Sequence, residues 1–68
     1  MPLVDVTLVA GRSPEKIRDL IDRLTDAVEQ AVDAPRANIR VIVREVPATH
    51  WAAGGQTVAE RDATTAAP

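Results

Sequence analysis

Residues 13–32, SPEKIRDLIDRLTDAVEQAV, decide the fold of this 68-residue chain. Apolar side chains recur in this stretch at three- and four-residue spacing, and most of the charged residues fall outside the apolar stripe. Ser13 is a good helix N-cap, Pro14 suits the first helical position, and Glu15 lies where the helix dipole favours a carboxylate. The stretch therefore predicts one long amphipathic helix, ended by residues 33–35 (Asp-Ala-Pro).

Apolar strands are predicted on both sides of this helix. Residues 3–9, LVDVTLV, alternate apolar and polar side chains, which is the period of a half-exposed strand. Residues 39–46, IRVIVREV, are rich in β-branched residues and are stopped by Pro47. This order gives a βαβ unit with two parallel strands and the helix on one face. The Gly54-Gly55 pair then predicts a short C-terminal hairpin.

The chain is too short to be comfortably stable alone, because a domain of this size buries a small fraction of its surface. It has no cysteine and a single histidine, His50, so disulfides and Cys-based metal sites are excluded and no metal site is expected. A two-stranded sheet also leaves a bare face and open edges that need cover. We therefore expect identical subunits to associate.

The charge and hydropathy of the chain exclude several classes of partner. The net charge of −2 gives no general attraction to nucleic acid or to an anionic membrane. No stretch reaches the roughly twenty apolar residues of a membrane span, and the first residues lack the pattern of a signal peptide. We expect a cytoplasmic protein that binds neither nucleic acid nor membrane.

Pro2 is the most informative single residue for function. A small second residue is what methionine-removing enzymes usually accept, and removal of Met1 would leave Pro2 as an N-terminal secondary amine. An α-amino group titrates at roughly 7.7–8.0, and lower in a water-poor pocket. The ring also fixes the direction of the lone pair. Pro2 is thus a candidate general base, although proline is common enough that an inert terminus stays open.

These elements together resemble the 4-oxalocrotonate tautomerase family. The residues that carry the resemblance are Pro2, Gly11-Arg12-Ser13, Ala34-Pro35, residues 39–43 (IRVIV) and residues 50–55 (HWAAGG). The resemblance covers residues 2–60, which are expected to form one domain, and it implies a hexamer built as a trimer of dimers. Residues 61–68 contain no large apolar side chain and are expected to be a disordered tail.

The resemblance also implies a cofactor-free isomerase. Pro2 would be the base that moves a proton between the enol oxygen and a carbon of a small unsaturated 2-hydroxy or 2-oxo carboxylic acid. Arg12 would anchor the remote carboxylate, and Arg40 would stabilise the charge that develops near the 2-oxo group, since guanidinium binds carboxylate by paired hydrogen bonds. Trp51 stands where the family commonly has phenylalanine, as an aromatic wall beside Pro2. In the family these groups converge from different subunits.

Other readings of the same residues stay open. Pro2 kept protonated would act as an acid, which suits a hydratase or dehalogenase working on unsaturated acids. A non-catalytic oligomeric subunit would keep the fold without the reaction, and a hetero-oligomer with a second, similar chain is an alternative to a homo-oligomer. Arg12 could be a solvated turn residue, Arg40 a surface residue, and Trp51 interface packing. The sequence does not choose the substrate.

Overall fold

A computed structural model describes residues 1–66 of the chain. It contains two main strands, a long helix, and a C-terminal arm, defined here as residues 48–66. The elements are β1 (Leu3–Val9), α1 (Pro14–Val32), a first 3₁₀ turn (Arg36–Asn38), β2 (Arg40–Val46), a second 3₁₀ turn (Ala48–His50), β3 (Ala52–Ala53), β4 (Gln56–Thr57) and α2 (Val58–Ala66). Neither helix of this described part is long and apolar enough to cross a membrane.

The predicted βαβ unit is confirmed. β1 and β2 pair in parallel, with a register that runs from Leu3 opposite Arg40 to Val9 opposite Val46. The Ser13 side chain caps α1 by accepting a hydrogen bond from the Lys16 backbone N–H at 3.3 Å. The helix ends at a left-handed residue, after which the chain turns back through the first 3₁₀ turn into β2.

The sheet has one covered face and one bare face. Alternate residues of β1 and β2 are half-buried on the side of α1: Val4, Val6, Leu8, Val41 and Val43. The opposite side, called the bare face below, carries Leu3, Asp5, Thr7, Arg40, Ile42 and Arg44, all of them exposed. Leu3 is 59% exposed and Ile42 is 43% exposed, although both are large apolar side chains. Apolar surface of this kind favours burial against another protein surface.

A single chain has almost no core of its own. Ile39 is the one buried hydrophobic residue among residues 1–63, the part whose side-chain burial is described, and it is 8% exposed. The radius of gyration is 15.7 Å, whereas a compact chain of this length would have about 11 Å. The molecule measures 50 × 25 × 16 Å. This extended shape with little buried surface supports the argument that the chain needs partners to be stable.

The C-terminal arm begins with the expected hairpin. β3 and β4 pair antiparallel, and the turn between them has Gly54 at φ 62° and Gly55 at φ 84°. Both angles lie in the left-handed region, where a residue with a side chain is strained. The two glycines therefore allow the two-residue turn that the sequence predicts.

Residues 61–68 were expected to be a disordered tail, but α2 runs from Val58 to Ala66, and residues 67 and 68 lie outside the described residues. The physical reason is a capping box at the start of α2. Glu60 N–H donates to Thr57 Oγ1 at 3.1 Å, and Thr57 N–H donates to Glu60 Oε1 at 3.3 Å. This reciprocal pair satisfies two backbone donors at the helix start and stabilises the first turn.

Candidate active site

Pro2 and Arg40 lie at the same end of the sheet. The Arg40 backbone N–H donates to the Pro2 carbonyl at 3.0 Å, which ties the residue before β1 to the first residue of β2. Their side chains are directed to opposite faces, because Arg40 shares the bare face with Leu3, and side chains alternate along a strand. Pro2 is half-buried and Arg40 is exposed. Within one chain, the two candidate catalytic residues are thus joined by a backbone hydrogen bond, while their side chains lie on opposite faces of the sheet.

Met1 precedes Pro2 in the described chain and is 86% exposed. While Met1 is attached, the nitrogen of Pro2 is an amide and has negligible basicity. The exposure of Met1 leaves it accessible to a processing enzyme. A basic Pro2 therefore requires removal of Met1, whose side chain is exposed.

The Arg40 guanidinium is held by the first 3₁₀ turn. Its Nη1 donates to the Ala37 carbonyl at 2.9 Å. The remaining N–H groups of the exposed guanidinium can still form the paired hydrogen bonds by which arginine binds a carboxylate. The bare face thus carries a cation whose position is set by the backbone that precedes β2.

Arg12 lies at the opposite end of the sheet. It follows Gly11, which has φ 134° and lets the chain turn sharply out of β1. Arg12 Nη1 donates to the Val9 carbonyl at 2.9 Å. With a rise of about 3.3 Å per residue along the strand, Pro2 and Arg12 of one chain are more than about 20 Å apart. One chain therefore cannot bring these two groups onto a single small substrate.

A surface groove of about 550 Å³ lies beside Arg12, between the end of β1 and the start of α1. Its apolar lining includes Leu8, Ile17 and Leu20, and its charged lining consists of three cations and two carboxylates: Arg12, Lys16, Arg23, Glu15 and Asp19. Because cations and carboxylates both line it, the groove of a single chain has no clear preference for an anionic ligand. The groove is open, which leaves room for a second chain to complete it.

Trp51 lies on the C-terminal arm, after the end of β2 that is remote from Pro2. Its carbonyl accepts the Val58 backbone N–H at 2.8 Å, and its side chain is 39% exposed. The indole lines a small cleft of about 80 Å³ together with Ala53, Gln56 and Thr57. A large aromatic side chain on an arm, exposed to this extent, is suited to contact another subunit.

Asp5 and Arg44 form a paired salt bridge across the bare face. Arg44 Nε and Nη2 donate to the two carboxylate oxygens of Asp5 at 3.2 and 3.1 Å. The hydrogen bond from Arg44 holds the pKa of Asp5 below its ordinary value, and the same contact raises the pKa of Arg44. This pair puts two opposite charges beside the exposed Leu3 and Ile42, on the surface that most needs cover.

A second ionic cluster, named the Arg36 clamp here, was not predicted from the sequence. Arg36 Nη1 donates to Asp26, Arg36 Nη2 donates to Asp22, and Nη1 lies 3.9 Å from Glu29. The signal for it is present, because these three acids recur at four- and three-residue spacing on α1 and a cation follows Pro35. The hydrogen bond to Asp26 is the main cause that raises the pKa of Arg36.

Among residues 1–66, no group of three His, Cys, Asp or Glu side chains is placed to hold a metal ion. The single histidine, His50, has its Nδ1 2.9 Å from the hydroxyl of Thr49 in the second 3₁₀ turn. This contact occupies one ring nitrogen beside Trp51.

Comparison with known proteins identifies the family to which this arrangement is similar. The family model described as tautomerase enzyme matches residues 2–61. A 2-hydroxymuconate tautomerase from Stutzerimonas stutzeri is 35% identical over 57 residues, which are 84% of this chain and 90% of that protein.

Two solved structures are also similar to the chain. One is TomN, a 4-oxalocrotonate tautomerase homologue of the tomaymycin biosynthetic pathway, with 43% identity and a TM-score of 0.92 over 96% of this chain and 100% of TomN. The other is a heterohexamer 4-oxalocrotonate tautomerase from Chloroflexus aurantiacus, with 43% identity and a TM-score of 0.85 over 88% of this chain and 97% of that chain. Both similarities extend over nearly the whole of the solved chains.

Proposed function

The chain belongs to the tautomerase family and is an isomerase, and we propose that its Pro2, after removal of Met1, is the general base of the reaction. It takes the proton of the enol hydroxyl and delivers a proton to a carbon of a small unsaturated 2-hydroxy acid. The product is the 2-oxo acid, and the reverse direction uses the same groups. No cofactor takes part, because one base and a stabilised dienolate are sufficient for the transfer.

The two arginines have different tasks in this proposal. Arg12 binds the remote carboxylate and orients the substrate, which is an interaction of equal strength in the ground state and the transition state. Arg40 faces the 2-oxo end, where negative charge develops, so its interaction strengthens as the reaction proceeds. Trp51 covers the base, keeps water away and disfavours the ammonium form of the amine.

These groups are proposed to come from different copies of the chain. Antiparallel pairing of the free β1 edges about a two-fold axis near Val6 would bring Pro2 of one subunit close to Arg12 of the partner subunit. The opposite directions of the Pro2 and Arg40 side chains support a third contributor across the bare face. A hexamer built as a trimer of dimers meets both requirements, and the similarity to a heterohexameric tautomerase supports an assembly of this kind.

The observation that carries the proposal is the position of Pro2. It lies behind a single exposed residue, Met1, at the start of β1 in a tautomerase fold, and its carbonyl is fixed by the Arg40 backbone N–H. A small second residue favours removal of Met1, and the strand then fixes the direction of the amine. The relative named 2-hydroxymuconate tautomerase supports the class of substrate.

The test is the rate of ketonisation of 2-hydroxymuconate, followed by ultraviolet absorbance. The Met1-processed protein is compared with its Pro2→Ala variant, and the intact mass of each confirms the processing. We expect the variant to lose about 10²- to 10⁴-fold in turnover, the range of general acid–base catalysis. Turnover that is indifferent to Pro2 would contradict its role as the base, and absence of turnover would favour a hydratase or a non-catalytic subunit.

The pH profile separates a base from an acid. A neutral Pro2 acting as base loses activity as the pH falls through its pKa, whereas a protonated Pro2 acting as acid loses activity as the pH rises. We expect the first profile with 2-hydroxymuconate. The second profile, obtained with an unsaturated or halogenated acid, would indicate a hydratase or dehalogenase.

A further inference from the structure

The first 3₁₀ turn is a short segment that is anchored at both ends. Its backbone is closed by two hydrogen bonds, from Asn38 N–H to the Pro35 carbonyl at 2.9 Å and from Ile39 N–H to the Arg36 carbonyl at 3.1 Å. Ile39, which follows the turn, is buried. Arg36, which begins it, is bound to α1 through the carboxylates of the Arg36 clamp.

Ala37 lies between these two anchors, and its carbonyl accepts Arg40 Nη1. The position of the Arg40 guanidinium is therefore connected to α1 by a continuous series of contacts: from the acids of α1 to Arg36, through the turn backbone to Ala37, and from Ala37 to Arg40. The turn itself is exposed and spans three residues. The hydrogen bonds of a 3₁₀ helix have poorer geometry than those of an α-helix, so they alone hold the turn in place only weakly.

The clamp has the chemistry of an orienting device. Arg36 uses two different guanidinium nitrogens for two carboxylates one helical turn apart, Asp22 and Asp26. A planar guanidinium that is held at two points has a defined orientation, which a single ammonium contact does not give. Exposed ion pairs contribute little to global stability, and the side chain of Arg36 is 44% exposed. The main consequence of this cluster is therefore geometric.

We propose that Arg36 is a positioning residue for Arg40: by holding the first 3₁₀ turn against α1, it fixes the Ala37 carbonyl and thereby the guanidinium that stabilises the transition state. This inference rests on the proposed function, because it needs Arg40 to act on the developing charge. Arg36 itself contacts no substrate. It acts through the backbone of the first 3₁₀ turn, by way of the Ala37 carbonyl.

The test is a double-mutant cycle measured as kcat and KM with 2-hydroxymuconate. Arg36→Met removes the clamp, and we expect it to lower kcat by roughly three- to thirtyfold through misplacement of Arg40, with a smaller change in KM. In an Arg40→Ala background the same substitution should have no further effect on kcat, because the group that it positions is already absent. Arg36→Lys keeps one charged contact without the two-point hold and should fall between the wild type and Arg36→Met.

A matched control is available on the same helix. Arg23 pairs with Asp19 at 2.9 Å, as an exposed ion pair that does not touch the 3₁₀ turn. Arg23→Met therefore removes an ion pair of the same kind, and we expect it to lower kcat much less than Arg36→Met does. Arg23 also lines the groove beside Arg12, so the comparison is made on kcat and not on KM. If Arg36→Met does not assemble, the pair Asp22→Asn and Asp26→Asn tests the same clamp from the other side and should reproduce the loss in kcat.

The outcomes distinguish this inference from the proposed function. An impaired Arg40→Ala variant together with a fully active Arg36→Met variant would overturn the positioning role and leave the proposed function intact. An equal loss from Arg36→Met in both backgrounds would also overturn it, because the effect would then be one of general stability. A fully active Arg40→Ala variant would overturn both the role of Arg40 and the inference.

Discussion

The two ends of the sheet carry one arginine each, and both are held in the same way. Arg12 and Arg40 each donate Nη1 to the carbonyl three residues earlier, at 2.9 Å. The supporting carbonyls differ, because Val9 belongs to a strand that is paired along its length, whereas Ala37 belongs to a short turn that depends on the Arg36 clamp. Each arginine is thus positioned separately within one chain, and under the proposed function the two act together only between chains.

This comparison predicts that removing Arg12 and removing Arg40 have different effects on kcat and KM. Arg40→Ala should lower kcat by about 10²- to 10³-fold, the loss typical of a removed oxyanion donor. Arg12→Ala should mainly raise KM and lower kcat less, because its contact with the remote carboxylate is made equally in the ground state and the transition state. Steady-state kinetics with 2-hydroxymuconate measures both. Equal effects on kcat would contradict the division of tasks between the two ends.

Mixing subunits sharpens the comparison, because under the proposed function Pro2 and Arg12 of one site come from two chains. Co-expression of Pro2→Ala chains with Arg12→Ala chains should restore about a quarter of the wild-type kcat/KM, since half of the random pairs are mixed and each mixed pair contains one intact site. Each variant expressed alone is the control. No restoration would indicate that Pro2 and Arg12 do not serve one site.

Co-expression of Pro2→Ala chains with Arg40→Ala chains tests the bare face in the same way. We expect activity to be restored in this mixture if Arg40 of one chain contributes to the site that contains Pro2 of another chain. A mixture that stays as inactive as its parents would assign Arg40 to the site of its own chain, against the opposite directions of the two side chains.

Local signals predicted most of the fold. The helix start and the hairpin turn depend on the conformation of neighbouring backbone, so a few residues predict them: Ser13, Pro14 and the Gly54-Gly55 pair. The second strand begins one residue later than expected, because Ile39 closes the 3₁₀ turn. The helix continues beyond residue 60 although this segment lacks large apolar residues, because the capping box at Thr57 and Glu60 stabilises its first turn.

The positions of the site residues in the fold are harder to predict from the sequence. Residue type alone suggests Pro2, Arg12 and Arg40 as candidates, but their separation follows from strand length and direction. The acids of the Arg36 clamp show in their spacing on α1, but their contact with Arg36 depends on how the chain turns after Pro35, which no local pattern specifies. How the subunits meet is a property of several chains, so it is not encoded in any contact within one chain.

The bare face offers a test with a smaller effect. Asp5→Asn removes the partner of Arg44 beside exposed apolar side chains, so we expect a lower urea midpoint at neutral pH. The pKa of Asp5 is lowered in the folded chain, so its contribution to stability is full above the unfolded value of about 3.9 and is lost as the pH falls through the folded pKa. The two proteins should therefore converge in strong acid.

Asp19→Asn is the matched control for this pH series, because it removes an exposed ion pair on α1 and leaves the sheet unchanged. We expect it to shift the urea midpoint less than Asp5→Asn at neutral pH. A difference between the wild type and Asp5→Asn that persists undiminished in strong acid would contradict the assignment of the effect to the ionised carboxylate.

The smallest expected effect concerns the arm that carries Trp51. Thr57→Ala removes the side-chain half of the capping box, which stabilises a helix by about 1 kcal/mol, so amide exchange in α2 should become about fivefold faster. α2 packs against the second 3₁₀ turn, which leads into Trp51. If the start of α2 frays, the second 3₁₀ turn and Trp51 are held less firmly, so we expect KM to rise slightly. The hydrogen bonds of Arg12 and Arg40 at the two ends of the sheet are not affected, so we expect kcat to stay unchanged. Gln56→Ala, in the same strand without a capping role, is the control, and equal exchange in both variants would show that α2 forms without its cap.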